Sequence, residues 1–307
     1  MSMIKKTKRY KEIKKKWGDK KWWKGRYRHR ILVHILHNNG TYVLDEKWDN
    51  LVILDACRYD IFKEVNILEG KLEYRTSRGS STEEFLIENF RKHPRYSNFR
   101  DIVYITANPY VNLLLSDKFN KIYPIWDYGW DDSLNTVPPG SVVKETLKAH
   151  KKHSDKRLIV HFMQPHSPFL GAKFAHVTGF REHRNAALKN RDQFGDSTVW
   201  NLLEKGELDR QEVWLAYKEN LEIVLPYVKK LIVMLPGRTV VTSDHGNLFG
   251  ERPHILYPFK EFGHPDGLYV RRLVLVPWLI VDRKKEKGTE KRKIRSKIDK
   301  LKNSGKI

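Results

Sequence analysis

The chain has 307 residues, 40% of them apolar, which excludes a disordered polymer and allows one large domain or two small ones. Its formal charge of +22 is carried by the ends: residues 1–30 hold fourteen Lys or Arg against Glu12 and Asp19, and residues 282–307 hold twelve against four acids. The middle is nearly neutral, which argues against a basic stripe on the domain and makes nucleic acid the less favoured partner.

In chain order, Met1 is followed by no apolar stretch of secretory-signal length, and the longest apolar runs, 31–36 and 273–281, fall short of the roughly 20 residues that cross a bilayer. Cys57 is the only cysteine, so no intrachain disulfide forms, and a cytoplasmic chain is expected. Residues 1–30 interleave Tyr10, Trp17, Trp22, Trp23 and Tyr27 with lysines, and Tyr10, Ile13 and Trp17 fall at helical spacing. The run LVIL, 51–54, opens straight into the polar DACRYD and predicts a buried parallel strand ending at a loop. Helical period follows over 81–90, a strand over 101–108, a helix over 142–153 and a strand over 157–164. Residues 171–211 are charged and irregular and read as an insertion near the site. A helix over 212–235, breaking near Pro226, and strands over 238–245 and 272–281 complete the pattern. Strands alternating with helices predict an α/β fold, a mostly parallel central sheet covered on both faces in a three-layer α/β/α sandwich.

Ligands of such sheets gather at the carboxyl ends of the strands. Acidic, His or hydroxyl residues stand just past three of the five runs: Asp55, then His161 to His166, then Asp244 with His245. In VVTSDHGNLFGE, 240–251, Asp244 and His245 leave a strand together ahead of Gly246, and an adjacent carboxylate and imidazole can reach one Zn²⁺ or Mn²⁺ ion. The same string also reads as a surface loop with a capping Asp. Asp55 either binds a cation or pairs with Arg58, which can equally pair with Asp60. Cys57 reads as a small packed residue rather than a nucleophile. In YRTSRGSSTEEFL, 74–86, a hydroxyl at a helix start is placed to attack an anionic ester, although Ser81 or Thr82 ahead of a Glu is also an ordinary cap. HFMQPHSPF, 161–169, and FGHPDGLY, 262–269, each set His beside Pro, which stiffens the loop. Most of the thirteen histidines, including His29, His34, His37, His150 and His153, are expected to be solvated or structural.

The succession DACRYD, TSRGSST, HFMQPHSPF, SDHGNLFGE, GHPDGLY and LVPWLIV resembles the sulfatase and alkaline-phosphatase superfamily along most of residues 48–281. The resemblance implies an alkaline-phosphatase-like domain over 48–281, flanked by a basic aromatic extension over 1–47 and a basic tail over 282–307. It implies a metal-dependent hydrolase or phosphotransferase acting on a phosphate or sulfate ester. Asp55, Asp244 and His245 would be metal ligands, and a hydroxyl from Ser80, Ser81 or, by preference, Thr82 would be nucleophile and fourth ligand. The ion would be Zn or Mn, with Ca or Mg as alternatives. His166 and His264 would contact the ester or a second metal with help from His161, and Arg58 or Arg78 would offset substrate charge.

Two departures qualify the likeness. No C/S-x-P-S/A-R string occurs, so a formylglycine nucleophile is unsupported and phosphate chemistry through Thr or Ser is favoured over sulfatase chemistry. A full second set of Asp and His ligands is not evident, so one metal is expected, and a fold that kept binding but lost turnover is the competing reading. The basic ends, with Ile294, Ile298 and Leu301 on one helical face, would suit an anionic membrane surface at the inner leaflet and a lipid-linked or cell-envelope substrate. Single-stranded RNA is the rival partner.

Overall fold

The computed structural model describes residues 13–27, 37–171 and 198–283. Tyr10, His29, His34, most of the 171–211 insertion, and Ile294, Ile298 and Leu301 of the C-terminal tail lie outside the described residues. In chain order the elements are α1 (Lys20–Tyr27), β1 (Asn50–Leu54), α2 (Tyr59–Val65), β2 (Lys71–Thr76), α3 (Thr82–Leu86), β3 (Phe99–Thr106), α4 (Tyr110–Leu115), β4 (Phe119–Pro124) and α5 (Ile125–Tyr128). Then follow α6 (Pro139–Lys152), β5 (Arg157–Phe162), α7 (Val199–Lys205), α8 (Arg210–Met234), β6 (Gly237–Thr242), β7 (Leu248–Glu251), β8 (Glu261–Gly263), α9 (Arg271–Val274) and β9 (Leu275–Arg283).

Every side chain of β1 is buried, and the period-2 alternation of a strand sends them to two different cores. Val52 and Leu54 join one core with Val142, Val143, Leu221, Val224 and Leu225 of α6 and α8, whereas Leu51 and Ile53 join another with Phe85, Leu86 and Val111 of α3 and α4. Helices therefore cover both faces, giving the three layers expected from the sequence. Each such side chain removed from water contributes about 1.5–3 kcal/mol.

The seven-stranded sheet has the order β2-β9-β6-β1-β5-β3-β4, and β9 alone runs against the other six. The five predicted strands are β1, β3, β5, β6 and β9. The two that sequence periodicity overlooks, β2 and β4, are the two edges. Paired on one side only, they carry Lys71, Glu73 and Arg75 or Asn120 and Lys121 rather than an apolar run. β7 and β8 form a separate antiparallel pair.

Two expectations are corrected. Helix α8 runs through Pro226 without a break, because Val224, Leu225, Val228 and Leu231 are buried on either side of it, and that packing outweighs the roughly 3 kcal/mol an interior proline costs. The described part of 171–211 is largely helical: Thr198 caps α7 through its hydroxyl, Gly206 ends it in the left-handed region, and Asp209 caps α8. No helix among the described residues is long and apolar enough to cross a membrane.

Strands β1, β5, β3 and β6 are mutually parallel, and β2, two places beyond β6 across β9, points the same way. Their carboxyl ends therefore open on one crevice.

Candidate active site

Asp55 leaves the end of β1, and Ala56 follows at φ 58, a left-handed conformation that costs a side chain with a Cβ about 1–2 kcal/mol. Several contacts hold that turn. The Ala56 N–H donates to Asp244 Oδ1 at 2.9 Å, the Cys57 N–H to Ser243 Oγ at 2.8 Å, and the Tyr217 hydroxyl to the Ala56 carbonyl at 2.6 Å. Asp244 and His245 leave β6 beside it. Gly246 next to them is a steric requirement, since a Cβ there would lie 2.2 Å from the Arg272 carbonyl oxygen. Ser77, at the end of β2, donates its hydroxyl to the Asp244 carbonyl.

These elements bring Asp55, Asp244 and His245 together, all buried, with ligand atoms within 4.8 Å of one another. His245 Nδ1 lies 2.8 Å from the Gly246 carbonyl, so it carries the proton and leaves the Nε2 lone pair facing the carboxylates. His245 Nε2 is 3.5 Å from Asp244 Oδ2 and 3.9 Å from Asp55 Oδ1. His161, from β5, completes the group with Nε2 3.5 Å from Asp55 Oδ2 and 3.9 Å from Asp244 Oδ2. Burial alone would raise the Asp55 pKa, but the His161 contact and the electrostatic pull of the neighbouring His166, His161 and His245 rings outweigh it and hold the carboxyl well below the usual carboxylate range.

Whether the group fits a cation is decided by its unsatisfied atoms. Asp55 Oδ1 and His161 Nε2 are buried and make no hydrogen bond, a condition that costs about 1–3 kcal/mol per group unless something binds there. Two carboxylates, an imidazole with its lone pair aimed inward and a hydroxyl are the donor set of a Zn²⁺- or Mn²⁺-type ion. The residues fit the metal.

The three candidate hydroxyls are separated by their surroundings. Ser80 Oγ lies between Glu84 Oε2 at 2.8 Å and the Pro265 carbonyl at 3.0 Å. Ser81 caps α3 by accepting from the Glu84 N–H at 3.4 Å and meets Asp266. Thr82 Oγ1 instead donates to Asp244 Oδ2 at 2.6 Å and lies 3.2 Å from His245 Nε2. Of the three, Thr82 touches the cluster. His166 and His264 meet Nε2 to Nε2 at 3.1 Å, and the His264 ring lies 4.4 Å from that of His245, so both border the same site.

No protein-family model matches the chain, and no curated protein matches it in sequence. Among solved structures it is similar to the lipooligosaccharide phosphoethanolamine transferase EptA from Neisseria meningitidis, at 12% identity and TM-score 0.46 over 75% of this chain and 47% of that one. The chain thus spans less than half the length of that protein. It is also similar to the periplasmic domain of phosphoethanolamine transferase EptC from Campylobacter jejuni, at 16% identity and TM-score 0.44 over 76% and 78%. A third is the periplasmic domain of EcEptC from Escherichia coli in complex with Zn, at 14% identity and TM-score 0.43 over 82% and 78%. The sheet has the mostly parallel order β2-β9-β6-β1-β5-β3-β4, and the motifs converge on its carboxyl edge in the order the resemblance requires. The fold is alkaline-phosphatase-like.

Within that fold the two predicted arginines are engaged elsewhere. Arg58, buried, forms a bidentate pair with Asp60 (2.9 and 2.5 Å), reaches Glu251 at 2.9 Å and stacks on Trp214 at 4.9 Å. Its guanidinium is spent on these partners, which is the Arg58–Asp60 alternative read from the sequence. Arg78 donates to the Gly40 carbonyl at 2.8 Å and covers Tyr42 at 3.9 Å. Cys57 is buried, and burial, with the charges of Asp60 and Asp244, pushes its thiol well up, as a packed residue rather than a nucleophile requires.

Several supporting residues escape sequence reading. Asn108 donates to Asp55 Oδ2 at 2.7 Å, Tyr104 holds His161 Nδ1 at 3.1 Å, and Asn220 in the middle of α8 ties down the carbonyls of Pro165 and His166 at 3.1 and 3.0 Å. A signal existed for Asn108 alone, a polar residue just past the apolar run of β3. Asp266 stands inside the quoted GHPDGLY motif, but only its contact with Ser81 reveals its place.

Proposed function

We propose that the chain is a metal-dependent phosphoryl-ester enzyme whose nucleophile is Thr82. The observation that carries this is the position of Thr82 Oγ1, 2.6 Å from Asp244 and 3.2 Å from His245, beside two buried polar atoms left without hydrogen bonds. A divalent cation held by Asp55, Asp244, His245 and Thr82 would lower the hydroxyl pKa and polarise an ester oxygen. The chain's own groups do the rest. Asp244 Oδ2 orients the Thr82 oxygen and takes its hydrogen, so the oxygen attacks phosphorus in line with the departing alkoxide. His166 and His264 share a proton across their 3.1 Å contact and deliver it to that alkoxide. The result is a phosphothreonine ester and a free alcohol; water or an acceptor alcohol then attacks phosphorus, giving its proton to the histidine pair, while the departing Thr82 oxygen regains its hydrogen from Asp244.

The absence of a formylglycine string supports phosphate over sulfate as the ester, and Zn or Mn as the ion follows from the mixed O and N donors. A lipid-linked substrate met at the inner, cytoplasmic leaflet is part of the proposal and is supported by the basic ends of the chain.

The test is a panel of aryl phosphate monoesters, diesters and sulfates, assayed with Zn²⁺ and Mn²⁺. Thr82→Ala and Asp244→Ala should each lose about 10²–10³-fold or more in rate. Full metal-dependent turnover by either variant sinks the assignment. A purified protein that binds no stoichiometric metal and turns over none of the panel would favour the scaffold reading instead.

A further inference from the structure

The short hairpin β7–β8 has two ends with different surroundings. Its base is in the site, since Leu248 begins β7 three positions after His245 and Gly263 ends β8 immediately before His264. Its tip, between Glu251 and Glu261, carries Ile255 and Leu256 at 94% and 57% exposure. Helix α1 is fastened to this hairpin. Lys24, buried, pairs with Glu204 at 2.5 Å and Glu261 at 3.5 Å, the Tyr257 hydroxyl meets Glu261 and the Lys24 carbonyl, and Tyr27 packs edge-on against Tyr257 and Phe259 at 6.0 Å each. The basic segment ahead of the domain is thus anchored by an internal ion pair.

What this arrangement presents outward is specific. Between Ile13 and Tyr27 seven Lys or Arg stand against Asp19 alone; Lys24 is buried in its ion pair, and Lys14 and Lys15 are exposed. Trp17 is 69% exposed at the start of the segment, backed by Trp23 at 5.5 Å. Cations, an indole and two aliphatic side chains on adjoining elements combine the three contacts that an interfacial surface needs: attraction to headgroup phosphates, an aromatic at headgroup depth, and apolar groups that enter the acyl boundary.

We propose that α1, Trp17 and the β7–β8 tip form one face that docks on an anionic phospholipid bilayer, with Ile255 and Leu256 as the inserted pair. Single-stranded nucleic acid fits the same face less well. Aliphatic side chains offer bases no stacking platform, and the Trp22 ring is covered by Arg26 at 4.8 Å and abuts Trp23 at 4.8 Å. The hairpin strands have four and three residues, so at about 3.3 Å per residue about 10–13 Å of strand separates the tip loop from the end that adjoins His245 and His264. Only this last consequence, that an ester in the same bilayer lies within reach, rests on the proposed chemistry; lipid binding does not.

Flotation of the full chain with phosphatidylcholine vesicles, with and without phosphatidylglycerol and at low and high salt, tests the proposal. The wild type should float with the anionic vesicles and be released by salt. The double variant Ile255→Ser, Leu256→Ser should bind about tenfold more weakly or worse while unfolding at nearly the same temperature, because Ile255 is almost wholly and Leu256 more than half in water. Trp17→Ser should weaken binding in the same direction. Thr82→Ala should float like the wild type, which separates a failure of this inference from a failure of the catalytic one. Equal flotation of the double variant and the wild type, or tight binding of oligouridylate without flotation, overturns the proposal.

Discussion

Two groups of buried charge lie at the ends of the short segment 55–60, and they are finished differently. Around Arg58 every partner is present: Asp60 and Glu251 neutralise the guanidinium, the Asn247 carbonyl lies 3.3 Å from it, and Trp214 covers its face. Around Asp55, two carboxylates and two imidazoles meet, yet Asp55 Oδ1 and His161 Nε2 have no hydrogen-bonding partner. The first group is complete as folded and acts as a structural clamp. The second carries the cost of those unpaired atoms unless a cation binds there, and an incomplete cluster of this kind is what distinguishes a candidate site from a brace.

Metal removal gives the largest contrast. Chelation should lower the unfolding free energy by about 3–4 kcal/mol when the ion had been present at a hundred to a thousand times its dissociation constant, read as a drop in Tm that Zn²⁺ or Mn²⁺ restores. The same chelator should leave Arg58→Met no worse off than the wild type in relative terms. Breaking the other cluster comes next: Arg58→Met strands Glu251 and Asp60 and should cost about 2–3 kcal/mol in denaturant unfolding, discounted because the Asp60 side chain is half exposed, without loss of stoichiometric metal. An Arg58 variant that folds normally but binds no ion would erase the distinction between the groups.

A pH series sharpens it further. Burial raises the Asp60 pKa, but the bond and charge of Arg58 outweigh that and hold the carboxyl below its usual range. Its stabilising effect is therefore complete above the unfolded value of about pH 4 and is lost as pH falls through the depressed folded value. The stability difference between the wild type and Asp60→Asn should accordingly shrink on acidification below about pH 4, measured by urea unfolding. The smallest effect is expected at the strained turn. Ala56→Gly removes the left-handed penalty at the cost of a looser unfolded chain, so the protein should gain less than 1 kcal/mol or stay level, unlike most Ala→Gly changes.

How much of this is legible beforehand differs between the layers of the molecule. Strands β1, β5 and β6 are buried on both faces, so their continuous apolar runs announce them, and the residues at or just beyond their carboxyl ends, Asp55, His161 and Asp244, are where a parallel sheet gathers its ligands. Strands β2 and β4 are not announced, because an edge needs only half a buried surface. The orientation of Arg58 is equally hidden. Its neighbour Asp60 can be read from the string, but Glu251 is 193 positions away, and a long-range partner decides which way the side chain turns. Thr82 could not be told from Ser80 and Ser81 locally, since all three suit a helix start; the contact with Asp244, across 162 positions, makes the difference.

The placement of β6 and β9 between β1 and β2 carries a consequence for biogenesis. The first two strands to emerge from synthesis are not neighbours in the finished sheet; they wait for the last two to be threaded between them, and the Asp244–His245 pair arrives on the late strand β6. A fragment that ends before β6 lacks Asp244 and His245, so the Asp55–Asp244–His245 cluster comes together only once that late strand has been made and inserted beside β1.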